Sequence, residues 1–376
     1  MITEKIEPCF PNYEESILNL SCSIQNYYGI KPLHKTLPQV DEILSHNHKH
    51  VVVILLDGLG MNILEDNLTY RDFLNRHLLT DYSSVFPPTT AAATTSLLTA
   101  KFPIETGWLA WDTYFPELDR NIILFRNVDY NTGEELDKPY SYLKYPVKYI
   151  TELIHEKNPD VATSLIQRYP IQKNGPKTLY GGRRQIYKFL KDKQSAFSYF
   201  YWDTPDREMH AFGIDSGTVR RKVRYVNKFI KRVSKKNPDT LFILLADHGH
   251  VNTKYLDMSK HKELYDLVAR PMCLEKRSAS IFVKDGKQKE FAEIFSKYYG
   301  NYFDLVSKEE ALKIKLFGEG KPCEGAIDSF GDFIAISKGE YSIYSSTEYK
   351  KCSLYPGHHG GGTEEERLID VSIYNK

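Results

Sequence analysis

A chain of 376 residues with 41% hydrophobic and 13% aromatic side chains can bury a large core and is too apolar for a disordered segment. Its 50 Lys and Arg against 49 Asp and Glu leave a formal net charge of +1, which gives no argument for a nucleic-acid polymer or a membrane surface as partner. The five cysteines, Cys9, Cys22, Cys273, Cys323 and Cys352, are scattered and form no CxxC, which argues against a disulfide framework or a zinc knuckle and for reduced thiols in a cytoplasmic protein.

Residues 1–48 read as a lead-in packed on the core, without the basic start and long apolar stretch of a signal peptide. A catalytic domain is expected from residue 49 to 376, with a small cap insertion within about 251–345. Six short apolar runs follow in chain order: "VVVILL" (51–56), "NIILF" (121–125), "VATSLI" (161–166), "SAFSYFYW" (195–202), "TLFILLA" (240–246) and "SASIFV" (278–283). Runs without alternation suit parallel strands covered on both faces. Helical patterns lie between them. In 217–237, Val219, Val223, Val226, Phe229, Ile230 and Val233 share one side; 287–300 ends on Gly300. Strands alternating with helices predict an α/β fold, a doubly wound and mostly parallel sheet flanked by helices. In such sheets ligands bind beyond the carboxyl ends of the strands.

Those ends carry the chemistry. "VVVILL" is followed by Asp57 and Gly58-Leu59-Gly60, and "TLFILLA" by Asp247, His248, Gly249 and His250. "SAFSYFYW" leads to "DTPDREMH", where Asp206 and His210 stand four apart and share a helix face. A late "YPGHHGGG" adds His358 and His359. Each cluster alone has a bland reading as turn, cap or loop. Together, Asp57, Asp206, His210, Asp247, His248 and His359 suffice for two three-ligand metal sites, the clamp used for in-line displacement at phosphorus. By contrast, "HNHKH" (46–50) precedes the first strand, at the wrong end for a site.

A nucleophile is found in "VFPPTTAAATTSLLTA" (85–100), which holds five threonines and a serine. Pro87 and Pro88 suit a helix start, and the amino end of a helix favours an anion. Thr94, Thr95, Ser96 and Thr99 fall deeper, where hydroxyls bond a carbonyl one turn back. Thr89 and Thr90 remain, and physical argument alone does not separate them.

With these motifs in hand, the sequence resembles the alkaline phosphatase superfamily, in particular its type I phosphodiesterase/nucleotide pyrophosphatase branch. The resemblance spans about 50–110, 195–212, 240–250 and 355–362. "FPPTTAAATTSLLTAKFPIETG" aligns without a gap, Pro205-Asp206 and His210 match "PD..GH", Asp247-His248-Gly249 match "DHG", and His359-Gly360 match the late "HG". The resemblance implies an alkaline-phosphatase-like fold with Thr90 as nucleophile. It implies one metal at Asp206, His210 and His359, and another at Asp57, Asp247, His248 and the Thr90 oxygen. Mixed carboxylate and imidazole ligands at both sites point to Zn, with Mn or another divalent ion as the substitute. The chain departs from the family at four points. Thr89 replaces a frequent Lys, and Met209 replaces the Gly before His210. His250 stands where Met is common. A phosphate-binding Asn falls near Trp111-Asp112, where the Trp111 N–H is the expected stand-in donor.

The expected function is a two-metal phosphohydrolase cleaving phosphodiester or pyrophosphate bonds of small, nucleotide-type phosphorylated substrates through a covalent threonine intermediate. None of the matched family positions is a Lys or Arg that would suit a dianion, which favours diesters over monoesters. Thr89, Trp111 and Asp112 are the expected substrate contacts, with aromatic residues of 109–115 and 251–277 as further candidates for the second ester pocket. The alternatives are a phosphomonoesterase or phosphonate hydrolase on the same scaffold, a phosphomutase, and, from another class, a catalytically decayed metal- or ligand-binding protein.

Overall fold

The computed structural model describes residues 10–346 and 354–375; Cys9 and Cys352 lie outside them. Cys22, Cys273 and Cys323 are free thiols. No helix among the described residues is long and apolar enough to cross a membrane.

In chain order the strands are β1 His50–Leu56, β2 Leu78–Ser83, β3 Asp112–Phe115, β4 Arg120–Ile123, β5 Val128–Asp129, β6 Ala162–Gln167, β7 Ala196–Trp202 and β8 Thr240–Leu245. They continue with β9 Val251–Asn252, β10 Lys254–Asp257, β11 Cys273–Glu275, β12 Ser278–Ile281, β13 Phe303–Ser307, β14 Phe333–Ser337, β15 Tyr341–Tyr344, β16 Gly357–His358 and β17 Leu368–Tyr374. A six-stranded sheet has the order β2-β17-β8-β1-β7-β6. Its β8, β1, β7 and β6 run parallel, and β17 lies antiparallel between β2 and β8. The fold is therefore α/β with a mostly parallel central sheet, alkaline-phosphatase-like.

A second, seven-stranded sheet, β13-β14-β12-β11-β3-β4-β5, is antiparallel throughout. The runs at 121–125 and 278–283 fall in it as β4 and β12. They are strands, but not the parallel strands their apolar character predicts. Burial on both faces produces the same unbroken apolar run whichever way the neighbour points. Two short pairs, β9 with β16 and β10 with β15, stitch the late loops to the core.

Seven helices matter for the site: α1 Ile17–Tyr27, α2 Pro38–Leu44, α3 Thr90–Thr99, α4 Ile150–Lys157, α5 Asp206–Phe212, α6 Gly217–Lys236 and α7 Gln288–Tyr299. The apolar face expected on α6 is buried at all six positions. The Ser216 hydroxyl caps the helix by accepting from the Val219 N–H. In the lead-in, Ile17, Leu20 and Ile24 of α1 join the main core, and the Ser21 hydroxyl donates to the Leu97 carbonyl of α3 at 2.5 Å. The helix that carries Thr90 is thus pinned from the amino-terminal side.

One buried carboxyl in the central sheet serves no motif. Asp370 on β17 is 2% exposed, its Oδ1 has no hydrogen-bond partner, and burial pushes its pKa from 3.8 to about 7. Between about pH 4 and pH 7 the folded chain keeps a proton that the unfolded chain has lost, so this residue subtracts stability as pH rises through that window. Asp370→Asn is expected to raise the unfolding free energy at pH 8, measured by urea titration, by on the order of 2–4 kcal/mol, and to change it little at pH 4.

Candidate metal and catalytic centre

The parallel strands β1, β7 and β8 end side by side, so the residues that follow them converge. Asp57 leaves β1, Asp206 opens α5 after β7, and Asp247-His248 follow β8. The turns that let them meet are tightly packed. A side chain on Gly249 would lie 1.9 Å from the Glu365 carbonyl oxygen. Gly58 has φ +73°, and a side chain there would meet the Asp206 Cβ at 2.9 Å.

Two groups of ligating atoms result. Asp206, His210, His250 and His359 form one, all within 4.8 Å of one another; Asp57, Asp206 and His248 form the other. Asp206 belongs to both. In the first, Asp206 Oδ1 stands 3.4 Å from His210 Nε2, 3.3 Å from His250 Nε2 and 3.7 Å from His359 Nε2. Zn–N and Zn–O bonds of 2.0–2.1 Å at tetrahedral angles give ligand–ligand edges of about 3.3–3.4 Å, close to these spacings. In the second, His248 Nε2 lies 3.4 Å from Asp57 Oδ1; Asp247, expected as a ligand, is not in this group, although its Oδ2 stands 3.6 Å from the same nitrogen.

Hydrogen bonding turns the imidazoles toward the centre. Nδ1 of His210 donates to the Gly357 carbonyl at 3.0 Å, that of His248 to Gly249 at 2.9 Å and that of His359 to Pro88 at 3.2 Å. Each bond fixes the tautomer and leaves the Nε2 lone pair facing inward, as metal-binding histidines require. His358 joins neither group; its Nδ1 lies 2.9 Å from the His359 carbonyl oxygen and 3.0 Å from the His359 amide nitrogen. Asp206 Oδ1, Asp247 Oδ2 and both ring nitrogens of His250 are buried without a hydrogen-bond partner. Orphaned acceptors facing one another carry a large desolvation cost unless a cation lies among them, so the residues present fit two divalent ions.

The electrostatics agree. Burial, then Asp247 and Asp206, push the Asp57 carboxyl well up. Burial also raises Asp247, against the attraction of His248. Asp206 feels the same burial, but His210 and His250 hold it below the usual carboxylate range. Burial lowers His250 to about 4 and His359 well below its ordinary value, so both imidazoles are neutral, the ligating form, near pH 7.

Thr90 is the first residue of α3, with Thr89 as its extended N-cap. Thr90 Oγ1 donates to Asp57 Oδ1 at 3.3 Å and lies 3.2 Å from His248 Nε2. Thr89 is fully buried and faces elsewhere; its hydroxyl donates to Glu275 Oε1 at 2.6 Å. Thr94 and Thr99 bond the carbonyls of Thr90 and Thr95 one turn back, as expected, whereas the buried Ser96 hydroxyl has no hydrogen-bond partner.

Both centres open into a cleft of about 1760 Å³, lined also by Thr89, Trp111, Asp112 and Glu275. The expectation for Trp111 needs correction. Its N–H donates to Glu275 Oε1 at 3.1 Å, so it is not free to bind phosphate. The Trp111 ring instead lies under the Arg126 guanidinium, 5.4 Å from its centroid. Burial pushes Glu275 up to about 7 and Asp112 well above its ordinary range. Of the other aromatic residues of 109–115, Phe115 packs in a satellite core and Tyr114 lies under Arg270.

Sequence reasoning missed the ligand position of His250, and also Glu275 and Tyr201, whose hydroxyl donates to Asp57 Oδ2. The "DHGH" spacing carried a signal for His250. Glu275 acts across 186 residues of sequence and left none.

A family model for type I phosphodiesterase/nucleotide pyrophosphatase matches residues 51–147 and 135–362. No curated protein sequence matches the chain. Among solved structures, murine ectonucleotide pyrophosphatase/phosphodiesterase 5 superposes with a TM-score of 0.65 at 17% identity, covering 87% of this chain and 88% of that one. An inactive threonine-to-alanine variant of that murine protein, in complex with AMP, gives 0.62 at 17% identity, with 88% of each chain covered. Phosphonoacetate hydrolase from Sinorhizobium meliloti 1021, in complex with phosphonoformate, gives 0.64 at 12% identity, covering 87% and 90%. At these identities the structural likeness is one of fold.

Tyr201→Phe frees Asp57 Oδ2, and His250→Ala removes an imidazole from the first group. Each is expected to weaken divalent-metal affinity about 10- to 100-fold, measured by competition with a chromophoric chelator, with the far-UV circular dichroism unchanged. Wild-type affinity in both variants would refute the assignment.

Proposed function

The chain belongs to the type I phosphodiesterase/nucleotide pyrophosphatase family, and on that premise we propose that it hydrolyses phosphodiester or pyrophosphate bonds of small, nucleotide-type substrates through a covalent Thr90 intermediate. The observation that carries this reading is the Thr90 hydroxyl, at the amino end of α3 and within 3.3 Å of both Asp57 and His248. The AMP bound to the inactive threonine-to-alanine variant of the murine relative supports both the nucleotide class and the threonine.

In this proposal Asp206, His210, His250 and His359 hold one divalent ion, and Asp57, Asp247, His248 and the Thr90 oxygen hold the other. Mixed carboxylate and imidazole ligands favour Zn, with Mn as the substitute. When bound, the pair supplies the positive charge that lowers the hydroxyl pKa and offsets charge on the phosphoryl and leaving oxygens.

The protein's own groups do the rest. Asp57 Oδ1 accepts the hydrogen bond of Thr90 and orients Oγ1 for in-line attack. The new bond joins Thr90 Oγ1 to phosphorus as the hydroxyl proton passes to solvent, and the bond to the departing oxygen breaks on the opposite side, that oxygen taking up a proton from water. The free N–H groups at the start of α3 favour the anionic phosphoryl group. Water then attacks phosphorus and Thr90 is released. Residues 251–345 act as a cap in this reading, bringing Glu275 of β11 to the nucleophile's neighbour Thr89.

The matched motif positions include no Lys or Arg to balance a dianion, and a diester carries one charge where a monoester carries two, which favours the diester.

The test compares bis-p-nitrophenyl phosphate with p-nitrophenyl phosphate in the presence of Zn or Mn. The expected result is a preference for the diester and a loss of hundreds-fold or more in kcat for Thr90→Ala. A preference for the monoester would overturn the substrate assignment. Near-wild-type turnover by Thr90→Ala would overturn the nucleophile.

A further inference from the structure

The near-neutral total charge conceals a one-sided face remote from the metal ligands. α6 and the helix Leu179–Leu190 pack on the same side of the central sheet. Phe229 of α6 stacks near Phe200 of β7, with 5.7 Å between ring centroids, and a side chain on Gly182 would meet that same Phe200 ring at 2.7 Å. Lys236 at the end of α6 lies 4.7 Å from the Tyr187 ring, so the outer surfaces of the two helices are continuous. Together they carry twelve Lys and Arg and no Asp or Glu. The chain totals +1, which leaves a formal −11 on everything else.

These cations point outward. The apolar stripe of α6 is turned to the core, and Arg220, Arg224, Lys228, Lys231 and Lys235, at helical spacing, are exposed on the opposite side. Arg184 and Lys188 are exposed on the neighbouring helix. Among the described residues only Lys222 of the twelve has an ion-pair partner, Glu208 at 3.5 Å. Like charges four residues apart repel along a helix, and the chain sets no carboxylates among the rest to offset that.

A polyanion is the complementary surface, and the rim of the face decides which kind. Tyr180, Tyr187 and Tyr225 stand exposed among the cations. Toward the amino ends of the helices, Ile171 lies in the loop between β6 and the helix Leu179–Leu190, and Phe212 closes α5 just ahead of α6; they are 54% and 58% exposed. Anionic headgroups pair with Lys and Arg, tyrosine rings settle at headgroup depth, and the hydrocarbon beneath takes up an aliphatic and a phenyl side chain. A nucleic acid matches the cations and stacks on tyrosines, but it offers Ile171 nothing.

We propose that the face formed by α6 and the helix Leu179–Leu190 docks the protein on an anionic lipid bilayer, with Ile171 and Phe212 entering the headgroup layer. Because Ile171 also lines the cleft, docking holds the cleft mouth close to the bilayer. The inference goes beyond the hydrolase reading and holds whichever ester is cleaved.

Cosedimentation of the full chain with vesicles tests it without turnover. Phosphatidylcholine vesicles containing about 30% phosphatidylserine are expected to bind the chain at least about 100-fold more tightly than pure phosphatidylcholine at about 0.1 M salt. Each of Arg224→Gln, Lys228→Gln, Lys231→Gln and Lys235→Gln is expected to weaken binding about fivefold, and the four combined to abolish the phosphatidylserine preference. Glutamine keeps the helix propensity of the cations it replaces, and the single variants carry the test if the combined one does not fold. Ile171→Ser with Phe212→Ser is expected to weaken vesicle binding several-fold while leaving that preference intact. No phosphatidylserine dependence in the wild type, or wild-type binding by the single Gln variants, would overturn the docking face. Tighter binding to a duplex RNA oligonucleotide than to the anionic vesicles, with no loss from the Ile171 and Phe212 substitutions, would overturn the lipid assignment.

Discussion

Asp57, Asp206 and Asp247 leave three adjacent parallel strands into one buried space where burial and neighbouring carboxylates raise Asp57 and Asp247, and that crowding of like charge is the constraint around which the rest of the site is arranged. Like charges held this close destabilise the fold unless protons or cations sit among them. The surrounding structure favours cations. Three histidines are fixed by backbone carbonyls with Nε2 turned inward, and a fourth, His250, is buried and neutral beside Asp206. Even the loop that carries His359 is fastened from a distance. Glu366 accepts the Gly361 N–H and the Thr363 hydroxyl, and it pairs with Arg277, a fully buried guanidinium that also donates to the Gly339 and Tyr341 carbonyls. Burying such an ion pair is costly on its own and is tolerated because both carboxylate oxygens and all three guanidinium nitrogens have hydrogen-bond partners.

Much of this was legible in the amino-acid sequence, for a physical reason. A parallel strand buried on both faces must be a short apolar run, and residues at its carboxyl end are exempt from that requirement. Asp57, Asp247 and His248 therefore stand out against β1 and β8, and the four-residue spacing of Asp206 and His210 marks one face of α5. Strand direction was less legible, because β4 and β12 have the same apolar character in an antiparallel sheet. β2 and β17 have no unbroken apolar run: Asp81 and Asp370, paired across the ladder, interrupt both. Least visible were groups defined by contact across the chain. Nothing near Glu275 in sequence announces Thr89 and Trp111 as its partners, and that contact removes the N–H donor expected at Trp111.

Two of the departures from the family pattern, Thr89 and Trp111-Asp112, line the cleft. Where the family has a Lys before the nucleophile and an Asn near Trp111, this chain has Thr89 bonded to Glu275 and an indole under Arg126. The same fold supports many chemistries, and the wall opposite the ligands decides among them. Here the cleft is lined by Trp111, Asp112, Arg126, Glu275 and Lys276 on the side of the second sheet, and by Tyr199 and Tyr201 on the side of β7.

The account depends most on cations occupying the space between these carboxylates. Anomalous diffraction at the zinc edge from crystals of the full chain grown with Zn tests this most directly. Two peaks within about 4–5 Å of each other are predicted, one enclosed by Asp206, His210, His250 and His359, the other beside Asp57, His248 and the Thr90 hydroxyl. A single peak, or none, at this convergence of strands would contradict it.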